Sequence, residues 1–236
     1  GGLANSSGAL GHYLMDHLWV AGGASGEFPE LAKYQKLSPD GPKRPDGTYV
    51  IRFRNTKNGP RDKRFLRGYG YQGGGAEGFN FRAPGFGDAF KKSIQDPIVS
   101  FSLAGFGECL PYFSNYVEID KSVNDTFGIP VLKIHMAWGE NEKKMIVDMM
   151  EAGAEIMEAA GAKNIRPYMV PDRTPGLGIH EVGVARMGAN PKTSVLNQYQ
   201  QCHDVKNLYV MDGACFTSSA CQNPTLTIMA LALRSS

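Results

Sequence analysis

The sequence lacks the long runs and the charge excess that mark several classes of protein. No apolar run approaches the roughly 20 residues of a membrane-spanning helix, and the N-terminus does not show the order of a signal peptide. The 25 basic and 23 acidic residues give a formal charge of +2, which offers no electrostatic footprint for nucleic acid or an anionic membrane. We therefore expect a soluble protein with no nucleic-acid partner.

The chain also lacks an initiator methionine, since it begins at Gly1. It is therefore expected to be a processed product, a truncated chain or part of a longer polypeptide. With 236 residues and 42% hydrophobic side chains, it is long enough to bury the core of one large domain or of two small ones.

Motifs for metal binding, redox exchange and serine hydrolysis are absent too. The four cysteines form no C-x-x-C pair, so neither a zinc site nor a thioredoxin-like motif is expected. Buried free thiols are the favoured interpretation, and a bridge between Cys215 and Cys221 is the alternative. His180-Glu181 is not part of an H-E-x-x-H zinc motif because Val184 stands in the last position, and no G-x-S-x-G elbow occurs.

Glycine, in contrast, is abundant at 29 residues, which predicts many tight turns and long loops. We expect loops over 22–45 and 68–87, the second carrying aromatic side chains. Alternating or continuous apolar patterns predict strands over 48–54, 97–105, 116–120 and 130–138. Three or four strands joined by loops favour an antiparallel sheet.

The clearest helix is predicted over 140–160. Apolar residues, four of them methionines, recur there at spacings of three and four, and Gly161 marks the end. Methionine readily fills irregular gaps, so this stripe is interpreted as core packing rather than as a binding surface.

The last quarter of the chain contains two weak signals for a ligand site. A short buried strand is predicted over 208–211, ending at Asp212-Gly213, where glycine permits close approach and the carboxylate can accept a ligand hydroxyl. Asn223 and Pro224 are typical of the cap and first position of a helix over 225–233, whose N-terminus would stabilise an anion. Alone, the first signal is weak because a strand ending in Asp-Gly is common in turns, and an ordinary capped core helix is the favoured interpretation of the second.

His180 is the candidate general base, because it lies in a glycine-rich stretch unlike the setting of a core histidine. A satisfied core histidine remains the alternative. His12 and His17 are five residues apart and do not share a helix face, and the sequence suggests no partners for His135 or His203.

Three motifs together resemble the C-terminal part of the glucose-methanol-choline (GMC) family of flavin oxidoreductases. They are H-x-x-G-x-x-R-M-G from His180 to Gly188, Asp212-Gly213, and N-P-T-L-T from Asn223 to Thr227. The stretches A-N-S-S-G, L-M-D-H and F-G-E-C-L at 4–8, 14–17 and 106–110 are similar to the bacterial sugar dehydrogenase branch.

The resemblance implies an α+β fold. An antiparallel-sheet substrate domain is expected beside a C-terminal strand and helix that complete a Rossmann-type domain for flavin adenine dinucleotide (FAD). Residues 1–20 would end one FAD-domain segment, 21–195 would form the substrate domain, and 196–236 would return to the FAD domain. The fingerprint G-x-G-x-x-G is absent, so the N-terminal part of the FAD domain is expected upstream in the same gene product or in a companion chain.

The resemblance also implies a function, the oxidation of a hydroxyl of a sugar or glycoside by proton abstraction and hydride transfer to flavin N5. It assigns catalytic roles to His180 and Asn223; asparagine cannot take a proton, so His180 is the sole base and Asn223 orients the substrate hydroxyl. The cofactor-binding residues would be Asp212, Gly213, Asn223, Pro224 and Thr225, and no metal is expected.

Bacterial relatives imply a small partner subunit, a cytochrome or quinone acceptor and a periplasmic location. Two alternatives stay open. One is a cofactor-free carbohydrate-binding or interaction subunit, and the other, within the family, is an oxidase that uses dioxygen.

Overall fold

The computed structural model describes residues 3–34, 47–59, 61–78, 85–95 and 98–236. The described strands are β1 (Leu18–Glu27), β2 (Gly47–Val50), β3 (Tyr69–Gly78), β4 (Ile98–Gly107), β5 (Tyr116–Asn124), β6 (Pro130–His135) and β7 (Lys163–Met169). The α-helices are α1 (Gly87–Gln95), α2 (Glu140–Ala159) and α3 (Thr225–Ser235), and short 3₁₀ helices cover Pro29–Tyr34 and Gly213–Cys215.

Five of the strands form one antiparallel sheet in the order β2-β3-β4-β1-β7. Strands β5 and β6 form a separate two-stranded ribbon. The sequence prediction of a mixed fold built on an antiparallel sheet is confirmed. The predicted strands at 97–105, 116–120 and 130–138 are present, whereas the one at 48–54 ends at Val50. Strand β7 and helix α1 were not predicted.

Helix α2 lies across this sheet and, among the described residues, contributes four of the sixteen buried side chains of the main core. Met145, Ile146, Met149 and Met157 on the predicted stripe are all buried. A capping box stabilises the helix start, because the Glu142 carboxylate accepts the backbone N–H of Gly139 at 3.0 Å. The interpretation of the methionine stripe as core is confirmed.

Two expected loops are strands instead. β1 occupies the first residues of the 22–45 stretch and β3 occupies most of the described part of 68–87; residues 35–46 and 79–84 lie outside the described chain. In β1 the reason is close packing against α2, since a Cβ on Gly22 would meet the Ile146 carbonyl oxygen at 2.5 Å; in β3 a Cβ on Gly73 would clash with the Ser102 carbonyl oxygen of the neighbouring strand β4. In both strands glycine allows neighbouring atoms to come close to the backbone, and it does not mark a turn.

A buried carboxylate ties an irregular segment onto α2. Asp148, only 1% exposed, accepts Arg54 Nε at 2.9 Å and Arg64 Nη2 at 2.6 Å. The Tyr69 hydroxyl donates a short hydrogen bond to the same carboxylate. Asp148 therefore joins residues 54 and 64 and strand β3 to the helix.

The C-terminal part differs from its prediction. Residues 208–211 do not form a buried strand, because their ladder pairing is a single bridge from Tyr209 to Gln201, and Tyr209 is 43% exposed. A stable strand needs a paired neighbour along its length, and among the described residues this segment is paired only at Tyr209. Helix α3 starts at Thr225 with Pro224 as its cap residue, so the predicted cap at Asn223 is wrong.

Helix α3 has no buried residue, and its large apolar side chains Leu226, Met229 and Leu233 are exposed. No helix in the described ranges is long and apolar enough to cross a membrane. The four cysteines are free and buried, as expected, and no bridge joins Cys215 to Cys221.

Candidate active site

The loop that carries His180 is held by a buried carboxylate. Asp16, which is fully buried, accepts the backbone N–H groups of His17 at 2.7 Å, Gly178 at 2.8 Å and His180 at 3.3 Å. Met15 and Val182 exchange reciprocal backbone hydrogen bonds at 2.9 Å just beside it. The backbone position of His180 is therefore fixed from both sides.

This loop has an unusual conformation. Ile179 lies in the left-handed region at φ +52° with its side chain 83% exposed, a backbone that a β-branched residue rarely adopts. A Cβ on Gly178 would lie 2.5 Å from Asp16 Oδ1, so glycine is needed for the carboxylate to approach. Strain of this kind is typical of functional sites. Here the strained loop places the backbone N–H groups of Gly178 and His180 where both donate to Asp16.

The imidazole of His180 meets a second imidazole. Its Nδ1 lies 3.0 Å from Nδ1 of His17, and the two rings stand edge to face. His17 is 2% exposed, its Nε2 lies 2.5 Å from the Ala220 carbonyl oxygen, and the edge of Phe106 packs against it. Burial lowers the pKa of His17, and the neighbouring His180 lowers it further. His180 itself is half-buried.

Three hydrogen bonds hold the segment 220–223 against the sheet and the start of β1. Besides the bond from His17 to Ala220, the Tyr49 hydroxyl donates to the Cys221 carbonyl at 3.3 Å. Gln72 Nε2 on β3 donates to Asn223 Oδ1 at 3.1 Å. The same frame that holds the two imidazoles thus also holds Asn223.

A cavity of about 490 Å³ lies beside this segment. Its wall includes hydroxyl and amide side chains that can hydrogen-bond a polyhydroxylated molecule, namely Thr217, Ser218, Ser219, Gln222, Asn223 and Thr227. Pro224 also lines it, and the N-terminal turn of α3 with exposed Thr225 begins at its edge. The arrangement brings polar groups and helix N–H donors to one place.

Asp212 and Gly213 lie elsewhere. Asp212 Oδ1 accepts the N–H of Ala214 at 2.8 Å and so caps the short 3₁₀ helix that follows. Gly213 packs on the chain after His180, with an ideal Cβ 3.1 Å from the Glu181 carbonyl. Both residues line a different cavity of about 290 Å³. Val182 forms part of the walls of both cavities, but no contact joins Asp212 to His180 in the described residues.

The chain matches the family model described as GMC oxidoreductase over residues 111–232. That match covers slightly more than half of the 236 residues. This chain belongs to the GMC oxidoreductase family. His180, Asp212 and Asn223 all fall inside the matched region, and members of the family generally bind FAD.

Relatives match across nearly the whole chain. A 2-methyl-1,2-propanediol dehydrogenase of Mycolicibacterium austroafricanum is 31% identical over 99% of this chain and 42% of that protein. The fructose dehydrogenase large subunit of Gluconobacter japonicus is 26% identical over 99% of this chain and 41% of that protein. The chain thus spans less than half the length of these GMC relatives.

A solved structure shares the fold. The crystal structure of pyridoxine 4-oxidase from Mesorbium loti aligns with a TM-score of 0.54 and 17% identity, covering 96% of this chain and 43% of that one. The arrangement of sheet and helices described above is therefore a GMC fold.

Sequence reasoning missed three residues of this candidate site, Asp16, His17 and Gln72. Asp16 and His17 stood in a quoted motif, but the partner of His17 is 163 residues away and spacing could not reveal it. Gln72 lies in a stretch interpreted as a loop. For Asp16-His17 the available signal was an adjacent acid and imidazole directly before an apolar segment.

No group of three His, Cys, Asp or Glu side chains is arranged to hold a metal ion within the described parts of the chain. The chemistry that the site itself offers is acid–base chemistry by imidazole and hydrogen bonding by amides and hydroxyls.

Proposed function

We propose that this chain is the C-terminal part of an FAD-dependent dehydrogenase that oxidises a hydroxyl of a sugar or glycoside to a carbonyl. The observation that carries the proposal is His180, a half-buried histidine whose backbone N–H is bound by Asp16 and whose ring contacts His17, in a chain of the GMC family. A positioned, uncharged imidazole is suited to remove a hydroxyl proton.

His180 is the base in this proposal. Its backbone is anchored by Asp16 and its ring nitrogen Nδ1 contacts His17, so the ring can keep one orientation toward a substrate hydroxyl, which is what effective proton abstraction requires. Asn223 cannot accept a proton. Because its Oδ1 is engaged by Gln72, its side-chain N–H groups are the part that can hydrogen-bond the substrate oxygen and orient it.

The residues fit one edge of a flavin. The N-terminal turn of α3 has no side-chain cap, so its backbone N–H groups and dipole are available to stabilise negative charge on a ring edge. Asn223, Pro224 and Thr225 would hold that edge, and Asp212 with Gly213 would contact a more distant part. FAD, when bound, supplies the two-electron acceptor for the hydride.

The cavity wall supports a polyhydroxylated substrate, because hydroxyl and carboxamide groups pair well with sugar hydroxyls. The relative from Gluconobacter japonicus is named for fructose, whereas the relative from Mycolicibacterium austroafricanum is named for a diol. We extend the proposal to a small partner subunit, a cytochrome or quinone as electron acceptor, and a periplasmic location.

The test is anaerobic titration of the full-length protein, purified without added cofactor. We expect a bound yellow chromophore whose absorbance bleaches with a sugar or glycoside, and less readily with a simple diol. A protein that is colourless, and stays inactive after FAD is added, would contradict the proposal and favour the cofactor-free binding subunit. Rapid recolouring by dioxygen would favour an oxidase.

A further inference from the structure

The neighbours of His17 determine which of the two imidazoles donates the hydrogen bond between His17 and His180. Nε2 of His17 faces the carbonyl oxygen of Ala220 at 2.5 Å. A carbonyl oxygen can only accept, so Nε2 of His17 carries a proton and donates it. A neutral imidazole has one proton, so Nδ1 of His17 then presents a lone pair.

The neutral state of His17 is supported by its surroundings. The side chain is 2% exposed, and burial lowers its pKa, with the neighbouring His180 adding to the effect. The Ala220 carbonyl and the charge of Asp16 act on this pKa in the opposite direction, but burial is the largest cause, and both Asp16 oxygens are engaged by backbone N–H groups.

With the lone pair on Nδ1 of His17, the 3.0 Å contact requires His180 to donate from its own Nδ1. His180 then has its proton on Nδ1 and its lone pair on Nε2. In a histidine, the hydrogen bond made by one ring nitrogen sets which nitrogen is free for chemistry.

We propose that His17 is a positioning residue that fixes the tautomer and orientation of His180, so that Nε2 of His180 is the atom that takes the substrate proton. This inference rests on the proposed function for the identity of the base. The hydrogen-bond chain from Ala220 through His17 to His180 is formed by described residues of this chain, whatever the substrate.

The proposal also accounts for the proton after transfer. The substrate O–H bond breaks, its proton forms a bond to Nε2 of His180, and the ring becomes an imidazolium that still donates from Nδ1 to His17. His17 already donates from Nε2 and is 2% exposed, so a second proton would make it a buried cation, and the proton stays on His180. FAD, when bound, would supply the acceptor for the two electrons of the substrate C–H bond, which balances the oxidation.

The tautomer can be measured without turnover. The full-length holoenzyme is labelled with ¹⁵N in its histidine rings, and two-bond correlations to the carbon-bound ring protons report which nitrogen carries hydrogen. The His180 signals are assigned by their loss in His180→Ala. We expect His180 to be protonated at Nδ1 and His17 at Nε2.

Variants at residue 17 then separate positioning from packing. His17→Leu removes the acceptor, so we expect His180 to move to the Nε2-protonated form and anaerobic flavin reduction to slow on the order of 10- to 1000-fold. His17→Gln supplies one donor and one acceptor as neutral imidazole does, and should restore the Nδ1 tautomer and most of the rate. His12→Gln, at an imidazole stacked on Phe113, is the control that should change neither readout.

The proposal is overturned if the parent carries the His180 proton on Nε2, or if His17→Leu keeps both the tautomer and the parental rate. Should His17→Leu fail to fold, the tautomer of the parent and of His17→Gln still decides. If no alcohol or sugar reduces the flavin, the proposed function fails, while the ring spectra continue to test His17 separately.

Discussion

Two buried carboxylates, Asp16 and Asp148, are stabilised by different kinds of hydrogen-bond donor. Asp148 is paired with two arginines and a tyrosine hydroxyl, whereas Asp16 accepts three backbone N–H groups. Ion pairs through long side chains fasten one segment to another while leaving the backbone geometry adjustable. A carboxylate bound by backbone amides fixes the path of the chain itself, which is what a catalytic loop requires.

This contrast predicts that damage around Asp16 lowers the reaction rate and damage around Asp148 lowers the stability. The largest effect should come from removing the imidazole of His180, whose loop is held by Asp16. His180→Ala should keep its flavin but slow anaerobic flavin reduction by roughly 10² to 10⁴, the usual contribution of a positioned base.

Stopped-flow absorbance measures that rate. His135→Ala, on the β5–β6 ribbon where His135 pairs with Glu118, is the matched control and should be reduced at the parental rate. An equal loss in both variants would point to a general defect of folding.

Asp16→Asn should come next. One oxygen can still accept the amides of His17 and His180, but the new NH₂ group faces the N–H of Gly178 and leaves that donor unpaired. We expect a loss of about 1–3 kcal/mol in the free energy of unfolding. The rate of flavin reduction should fall roughly 10- to 100-fold as His180 shifts. A parental rate in this variant would show that Asp16 serves only the fold.

Asp148→Asn should also lose stability, but it should keep the parental rate of flavin reduction. Removing the charge leaves Arg54 and Arg64 without their shared partner; both arginines are partly exposed, so water compensates in part. We expect a loss of about 2–3 kcal/mol of stability in denaturant unfolding, with flavin reduction within twofold of the parent. A rate loss as large as that of Asp16→Asn would remove the distinction between the two carboxylates.

The smallest effect is expected from Gly178→Ala. Its Cβ would lie 2.5 Å from Asp16 Oδ1, so the carboxylate must shift, at a cost of about 1–3 kcal/mol and a rate loss of roughly tenfold or less. Gly75→Ala is the control, because its Cβ would make an ordinary 3.6 Å contact with the Phe101 ring. Equal behaviour of the two alanine variants would argue against close approach as the role of Gly178.

The same contrast explains what the sequence could predict. Helix α2 was predictable because its apolar residues repeat at helical spacing and face one sheet. Strands β1 and β3 were missed because glycine, which usually signals a turn, instead allows close approach there, to helix α2 in β1 and to neighbouring strands in β3. His180 and Asn223 could be named from motifs, but the role of Asp16, His17 and Gln72 depends on contacts between distant segments, which no local pattern records. The strand at 208–211 was predicted from its apolar residues alone. In the described structure its pairing is limited to the one bridge between Tyr209 and Gln201.

The central claim is that His180 is the base, and the most direct test is anaerobic reduction of His180→Ala with and without free imidazole. The account predicts slow reduction that accelerates with imidazole concentration, while the parent protein does not respond. Reduction of His180→Ala at the parental rate in the absence of imidazole would contradict it and place the base on another residue.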